Sequence, residues 1–338
     1  MKRLLALFFL LLLFLVIGLP SLLARGCRPG KESAALTPPA LDLAPIASPV
    51  GEVMITVYLP TEERVMTLGL EEYLVGVVCA EMPAAFAPEA LKAQAVSART
   101  YTVNQLRAFG GSGCDRHPAA DVCTESTHCQ AWLGAEEVLA AWPAGEAAGN
   151  WQKVRDAVAA TAGEVVTYGG ELIDAVFHSH CGGHTENSED AWSTVVPYLR
   201  GVPCNFCRGT RWSETVHEFT GDQFARAMAE YVAAVPVSAA GRPLLGGTER
   251  TPTGRLKSVT IAGETVTGRD LRAALNLPST NVTWEVADDK VVFTVKGHGH
   301  GVGLCQYGAD GMARQGKTYR EILEYYYTGI EVSLLPST

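Results

Sequence analysis

Apolar positions change their spacing several times along the chain, and each change predicts an element. Over 52–59 they alternate (Val53, Ile55, Val57, Leu59), the period of a strand with one buried face. Helical spacing follows. Leu70, Leu74, Val77, Val78 and Glu81 fall on one stripe, which predicts a helix over 71–82 that Pro83 stops. Pro88 and Glu89 open a second helix to about residue 107, with the proline where a missing N–H does no harm. A further helix is expected within 150–161. Residues 164–168 and 172–178 read as a hairpin about Gly169-Gly170, and 282–286 with 290–295 as another about Asp288-Asp289. Thr220-Gly-Asp-Gln223 and Thr267-Gly-Arg-Asp270 carry capping-box patterns, each ahead of a short helix. A last helix is expected over 319–327, ended by Gly329. Strands and helices mixed without regular alternation point to an α+β fold, with helices and antiparallel hairpins around a groove.

The N-terminal pattern is different. Lys2 and Arg3 precede an almost unbroken apolar stretch over 4–24. As a helix it would be roughly 30 Å long, the thickness of a bilayer's hydrocarbon core, whereas the core of a cleaved signal is shorter. Residues 1–26 are therefore expected to be a single transmembrane anchor that puts the rest of the chain outside the cytoplasm. Pro29, Pro38, Pro39, Pro45 and Pro49 make 27–51 an expected extended linker, which leaves 52–335 as the folded domain. A net charge of −9 argues against nucleic acid as a partner. The nine cysteines (27, 79, 114, 123, 129, 181, 204, 207 and 305) suggest disulfides outside the membrane. Their odd number, and the histidines among them, suggest that at least one group does something else.

Several clusters have the residue types for chemistry. Glu81 ends an apolar stripe at a helix C-terminus, and both features raise a carboxyl pKa, as a general acid near neutral pH requires. The plainer alternative is a helix-end carboxylate paired with Lys or Arg. Lys92 and Arg99, seven residues apart, share a helix face and either hold Glu81, bind sugar hydroxyl and acetamido groups, or form a salt-bridged surface. His117, Cys123, His128 and Cys129 can complete a tetrahedral zinc shell, while Cys123–Cys129 or Cys114–Cys123 disulfides are the alternative. Cys181 stands among His178, His180 and His184. That admits a Cys–His nucleophile, a metal site with Cys204 and Cys207, or a disulfide. Gly182-Gly183 implies a tight turn that gathers polar side chains on a groove, His184 and Glu186 among them. The glycine-rich run over 297–309 matches neither nucleotide-binding pattern. Its glycines, flanked by His300, Gln306 and Tyr307, suit a polysaccharide groove better, with His298 and His300 as a possible metal pair.

Taken in order, these segments resemble a known family. They are Leu70-Glu-Glu-Tyr-Leu-Val-Gly-Val-Val-Cys-Ala-Glu-Met-Pro83, Glu89-Ala-Leu-Lys-Ala-Gln-Ala-Val-Ser-Ala-Arg-Thr-Tyr101 and His128-Cys-Gln130. The run from Ser179 to Trp192, Pro197-Tyr-Leu-Arg-Gly-Val202, Gly299-His-Gly-Val-Gly303, Gln306-Tyr-Gly-Ala309 and Tyr326-Tyr-Thr-Gly329 complete the set. Over roughly 50–335 the chain resembles the stage II sporulation protein D family. The resemblance implies a lytic transglycosylase that cuts the N-acetylmuramic acid–N-acetylglucosamine bond of peptidoglycan during engulfment of the forespore, leaving a 1,6-anhydro product. It further implies a place in the mother cell's engulfing membrane, with the domain on the extracytoplasmic side. Implied partners are an amidase that strips the stem peptides, stage II sporulation protein P, and a membrane protein, stage II sporulation protein M. Glu81 matches the family's catalytic acid, and Lys92 and Arg99 match groove residues. His117, Cys123, His128 and Cys129 match the zinc ligands of some members, and a closed four-ligand shell of this kind is usually structural. Tyr198, with His184, Glu186, His300, Gln306 and Tyr307, would line the groove. Two positions depart from the pattern: His298 stands where Trp is frequent, and Cys305 where a small Ser is usual. Cys181, Cys204 and Cys207 map to no family role. Amidase-enhancer proteins share the domain and bind wall and a partner without cutting glycan, so a non-catalytic reading stays open.

Overall fold

The centre of the fold is a helix that is buried along most of its length. In a computed structural model that describes residues 43–233, 245–287 and 289–336, helix α2 (Pro88–Gln105) has five elements packed on it and reaches the surface at its ends and at Glu89 and Lys92. Around it pack α1 (Leu70–Glu81), α4 (Ala144–Ala159), α8 (Gln306–Arg314), α9 (Tyr319–Tyr326) and strand β4 (Glu164–Tyr168). The sequence of α2 explains how five neighbours fit. Ala90, Ala93, Ala95 and Ala98 are all fully buried, and their short side chains let the surrounding backbones approach closely. A one-sided apolar stripe would have placed this helix at the surface; small residues all round place it at the core.

The expected elements over 54–105 and 282–334 are present within a residue or two. β1 (Met54–Leu59) pairs antiparallel with β2 (Arg64–Gly69) and parallel with β3 (Val122–Cys123). β11 (Val282–Ala287) and β12 (Lys290–Val295) form the expected hairpin, extended on its other edge by β7 (Thr215–Thr220). After the short α5 (Ser188–Trp192), Thr220 and Gln223 close a full capping box on α6 (Gly221–Met228), and Thr267 Oγ1 accepts from Asp270 N at 3.1 Å at the start of α7 (Gly268–Ala274). Three features differ from expectation. The helix looked for within 150–161 begins at Ala144 and is preceded by α3 (Ala135–Ala141). The hairpin after Gly169-Gly170 is short: β5 (Glu171–Leu172) pairs with β4, but β6 (Phe177–His178) leaves it to pair parallel with β13 (Leu304–Cys305). A sheet of β8 (Leu245–Arg250), β9 (Leu256–Ile261) and β10 (Glu264–Thr267) packs with the β11–β12–β7 sheet around Phe224, Leu271 and Phe293, as a second apolar cluster. β14 (Glu331–Leu334) completes the β4–β5 sheet.

The expected anchor lies outside the described residues. Among the described residues, no helix is long and apolar enough to cross a membrane. The described end of the proline-rich segment lies on the domain surface. Ser48, Pro49 and Val50 crowd Gly163, where an added Cβ would stand 3.1–3.4 Å from them, and Arg155 donates to the Ala44 carbonyl.

Candidate functional site

Glu81 closes α1, and its carboxyl is drawn inward. Oε1 accepts a hydrogen bond from Ala131 N at 2.8 Å, and the side-chain amide of Gln306, at the start of α8, is its other partner. Burial raises its pKa above the ordinary carboxylate value, and these two hydrogen bonds offset only part of that. Gln306 Nε2 also reaches Gln94 Oε1 at 3.3 Å, and Gln130 Nε2 donates to Thr102 Oγ1 at 2.9 Å. The hydrogen-bond partners of Glu81 among the described residues are thus one backbone amide and one side-chain amide, and neither is a cation.

Lys92 and Arg99 do share a helix face, but it is the wrong one for Glu81. Two residues along a helix turn about 200°, so Gln94, on the Glu81 side, lies nearly opposite Lys92. Lys92 Nζ pairs with Glu89 Oε1 at 2.6 Å and lies 5.9 Å over the Tyr319 ring. Arg99 is 0% exposed. Its Nε and Nη2 make a bidentate pair with Glu71 at 3.0 and 2.6 Å, and it donates to the Glu164 carbonyl at 3.0 Å and the Val158 carbonyl at 3.3 Å. A guanidinium with every face committed to the core has nothing left for a ligand, which corrects the expectation that Arg99 lines a groove.

The histidine–cysteine cluster forms with one substitution in its membership. Cys114, Cys123, His128 and Cys129 bring three Sγ and one ring nitrogen within 4.8 Å of one another. His117 stays outside this set and stacks on Tyr58 at 3.7 Å, although its ring lies near Cys123 and Glu125. The reason is local. Cys114 N bonds to the Ala120 carbonyl and Ala120 N to the His117 carbonyl, so a turn at 117–120 carries His117 away while Cys114 returns beside Cys123. Sequence spacing offered Cys114 only as a disulfide partner. His128 Nδ1 stands 3.7, 3.3 and 3.4 Å from the sulfurs of Cys114, Cys123 and Cys129, and its Nε2 is held by Asp115. All eight described cysteines are free thiols. Zinc bonds of about 2.3 Å to sulfur and 2.1 Å to nitrogen, at the tetrahedral angle, set neighbouring ligand atoms about 3.6 Å apart. The cluster has that spacing, and a carboxylate on the far ring nitrogen is the usual support of a ligating histidine.

Of the remaining groove candidates, only Gln306 touches Glu81. Next to it, Tyr307 meets Phe86 edge-on at 5.0 Å and lies 5.7 Å from His180. The others use their polar atoms within the protein. Glu186 is buried and accepts from Thr251 and Thr253 hydroxyls at 2.7 and 2.6 Å and from Asn187 N at 2.9 Å. Tyr198 Oη accepts from Asp174 N at 2.9 Å, and His184 Nδ1 lies 2.6 Å from the Thr185 carbonyl. His300 Nε2 bonds to the Phe177 carbonyl at 2.8 Å, and burial pushes its pKa down to about 4. His298 lies over Trp212 at 4.2 Å, and the His300 ring is edge-on to His178 at 5.5 Å. The glycines of this run let protein segments, not sugar, come close: Gly301, at φ 90°, faces the Arg255 guanidinium, where a Cβ would sit 2.5 Å away. A polar cleft of about 620 Å³ opens beside this loop, lined by Trp192, Glu189, Asp190, Lys257, Arg269 and His300 among others, and Glu81 does not line it. Sequence reasoning missed Ala131 N and Gln94. A backbone donor carries no residue signature, and Gln94 read as one more residue of an alanine-rich helix.

The family model described as Stage II sporulation protein (SpoIID) matches residues 60–168. Stage II sporulation protein D of Bacillus subtilis is 35% identical over 306 residues, 90% of this chain and 85% of that one. Stage II sporulation protein D of Bacillus amyloliquefaciens is 33% identical, over 96% of this chain and 92% of its own. The amidase enhancer of Bacillus subtilis is 27% identical over 76% of this chain but only 39% of its own length.

Proposed function

The chain belongs to the stage II sporulation protein D family, and from that premise we propose that it is a lytic transglycosylase of peptidoglycan glycan strands, with Glu81 as its acid and base. The observation that carries this reading is a desolvated carboxyl held by one backbone N–H and one amide, with no cation among its hydrogen-bond partners in the described residues. Such a group keeps its proton to higher pH than an exposed glutamate, so it can give that proton away. Glu81 protonates the oxygen that links muramic acid C1 to the next sugar, and the C1–O bond breaks. The C6 hydroxyl of the same muramic acid attacks C1, its proton passes to the Glu81 carboxylate, and the acid is restored. No water is consumed. Hydrolysis would call for a second carboxylate roughly 5–10 Å away. Glu186 is engaged by three donors and Glu189 by Arg200 at 2.7 Å, which leaves both committed elsewhere.

The substrate is glycan freed of stem peptides, supplied by the partner amidase stage II sporulation protein P. An N-terminal anchor and stage II sporulation protein M hold the domain at the outer side of the membrane. One experiment tests the reaction and the substrate together: the purified protein is incubated with intact and amidase-treated sacculi, and released fragments are identified by mass spectrometry. Anhydromuramic ends from the treated sacculi alone are expected. Reducing muramic ends, or equal rates on both substrates, would overturn the reading. Likeness to the amidase enhancer favours a second reading, in which the chain binds glycan and stimulates an amidase; binding without any cleavage product would decide for it.

Zinc fits the first cysteine cluster, and Cys114, Cys123, His128 and Cys129 would hold it. The ion would supply a tetrahedral cross-link in place of an apolar core. Asp115 keeps the His128 ring turned toward the sulfurs, and the segment that follows Cys129 presents Ala131 N to Glu81. Cys114→Ser is expected to lose the metal as fully as Cys123→Ser, while His117→Ala retains it. Elemental analysis of protein purified without chelator checks this, and metal lost on His117→Ala but kept on Cys114→Ser would return His117 to the shell.

A further inference from the structure

We propose that Cys181, Cys204, Cys207 and Cys305 form a second metal centre, which binds one zinc ion through four thiolates. Their sulfurs all lie within 4.8 Å of one another, and all four residues are buried. Cys181 Sγ is 3.4 Å and Cys204 Sγ 3.8 Å from Cys207 Sγ. Four zinc–sulfur bonds of about 2.3 Å at tetrahedral angles place the sulfurs about 3.8 Å apart. A [4Fe–4S] cluster, whose four thiolates each bind a different iron atom, would need them more widely spaced. Two disulfides would give each sulfur one near partner, whereas here each has three.

The donors around the sulfurs are those a thiolate wants. Gly183 N, Gly308 N and Cys181 N point at Cys181, Cys305 and Cys305 Sγ respectively, each at 3.3 Å, and Tyr326 Oη stands 3.2 Å from Cys204 Sγ. Charge gives an independent indication. Four thiolates on one zinc ion carry a net charge of −2, which a buried site tolerates only with a counter-charge close by. Arg255 supplies one. Its side chain is buried, Nη2 donates to the Cys181 carbonyl at 2.6 Å, and Nε and Nη1 have no hydrogen-bond partner among the described residues. Packing is equally committed. At Gly308 a Cβ would stand 2.0 Å from Tyr326 Oη and 2.7 Å from Cys204 Sγ, so only glycine lets the first turn of α8 reach the sulfurs.

Three separate segments meet here: the turn after β6, the Cys204-x-x-Cys207 loop and the cap of α8. The last links the centre to the chemistry. Cys305 caps α8, and the next residue, Gln306, is the amide partner of Glu81. One cysteine centre thus adjoins the segment that carries Ala131 N and the other adjoins Gln306, both hydrogen-bond partners of the same carboxyl. Their role is positioning, and the inference does not depend on which reaction Glu81 performs.

The test counts metal in the full-length protein purified from zinc-supplemented medium without chelator. Two zinc ions per chain are expected, one after Cys207→Ser, one after Cys123→Ser and none in the double variant. Should Cys207→Ser fail to fold, cadmium-113 resonance of the wild type replaces it. Two signals are expected, the four-thiolate one further downfield than the three-thiolate, one-imidazole one. A single signal at the less downfield, three-thiolate position, iron in place of zinc, or one metal per chain with Cys181, Cys204, Cys207 and Cys305 recovered as disulfides would overturn the proposal. Loss of the first centre alone shows instead as metal that survives Cys123→Ser but not Cys207→Ser.

Discussion

Glu81→Gln is expected to lower turnover on stem-peptide-free glycan by about 10²- to 10⁴-fold, the range that positioned proton transfer contributes, while glycan binding stays close to that of the wild type. Gln keeps the shape and can still accept from Ala131 N, but it has no proton to give. The pH profile carries the same signature. Burial raises the Glu81 pKa, so activity holds through the ordinary carboxylate range and falls as pH rises past the shifted value. Glu81→Gln should remove that falling limb together with the activity. Stability follows with the matching sign. The folded state holds this proton more tightly than the unfolded chain, so the contribution of Glu81 is fully present below its unfolded pKa and lost as pH rises through the folded one. Appreciable turnover in the variant, or a wild-type rate that rises through this window, would count against Glu81 as the acid.

Arg99→Ala is expected to cost about 3–5 kcal/mol of folding stability, because it strands the buried Glu71 carboxylate without its partner. Glu71 would keep only Gly163 N, at 3.0 Å, and the Glu164 and Val158 carbonyls would lose a shared donor. Urea denaturation measures the loss. In the protein that remains folded at low temperature, KM for glycan should match the wild type, since Arg99 has no exposed surface. An unchanged urea midpoint with a raised KM would instead place Arg99 in the groove. Lys92 serves as the contrast on the same face: its partner Glu89 is partly exposed, so their pair is of the kind that contributes little.

Local pattern was enough for α1, α2, the β11–β12 hairpin and both caps, because each is decided by residues within a few positions of one another. It was also enough for the placement of Glu81 at the end of an apolar stripe. Where it went astray, contacts between distant residues were deciding. Lys92 and Arg99 share a face in the sequence, yet one is at a surface and the other in the core, because Glu71 and the carbonyls of 158 and 164 are brought to Arg99 by three other elements. Cys114 takes the place offered to His117 because a turn closes between them, and β3 lies parallel to β1 only once the chain has folded back.

The sequence by itself determined the helices that carry the candidate acid, the α+β class and the family. It also determined the inventory of thiols and imidazoles from which any metal centre must be made. Only the tertiary structure decided which thiols meet. Cys181, Cys204 with Cys207, and Cys305 are separated by 23 or more residues in sequence, and no periodicity relates them. Their meeting depends on β6 leaving its hairpin for β13, on Gly308 admitting the first turn of α8, and on Arg255 lying beside them. Hydrogen-bond period and side-chain alternation act over a few residues, so they are written along the chain. A polar centre assembled from loops is held by shape and charge between segments, and those exist only after the segments have packed.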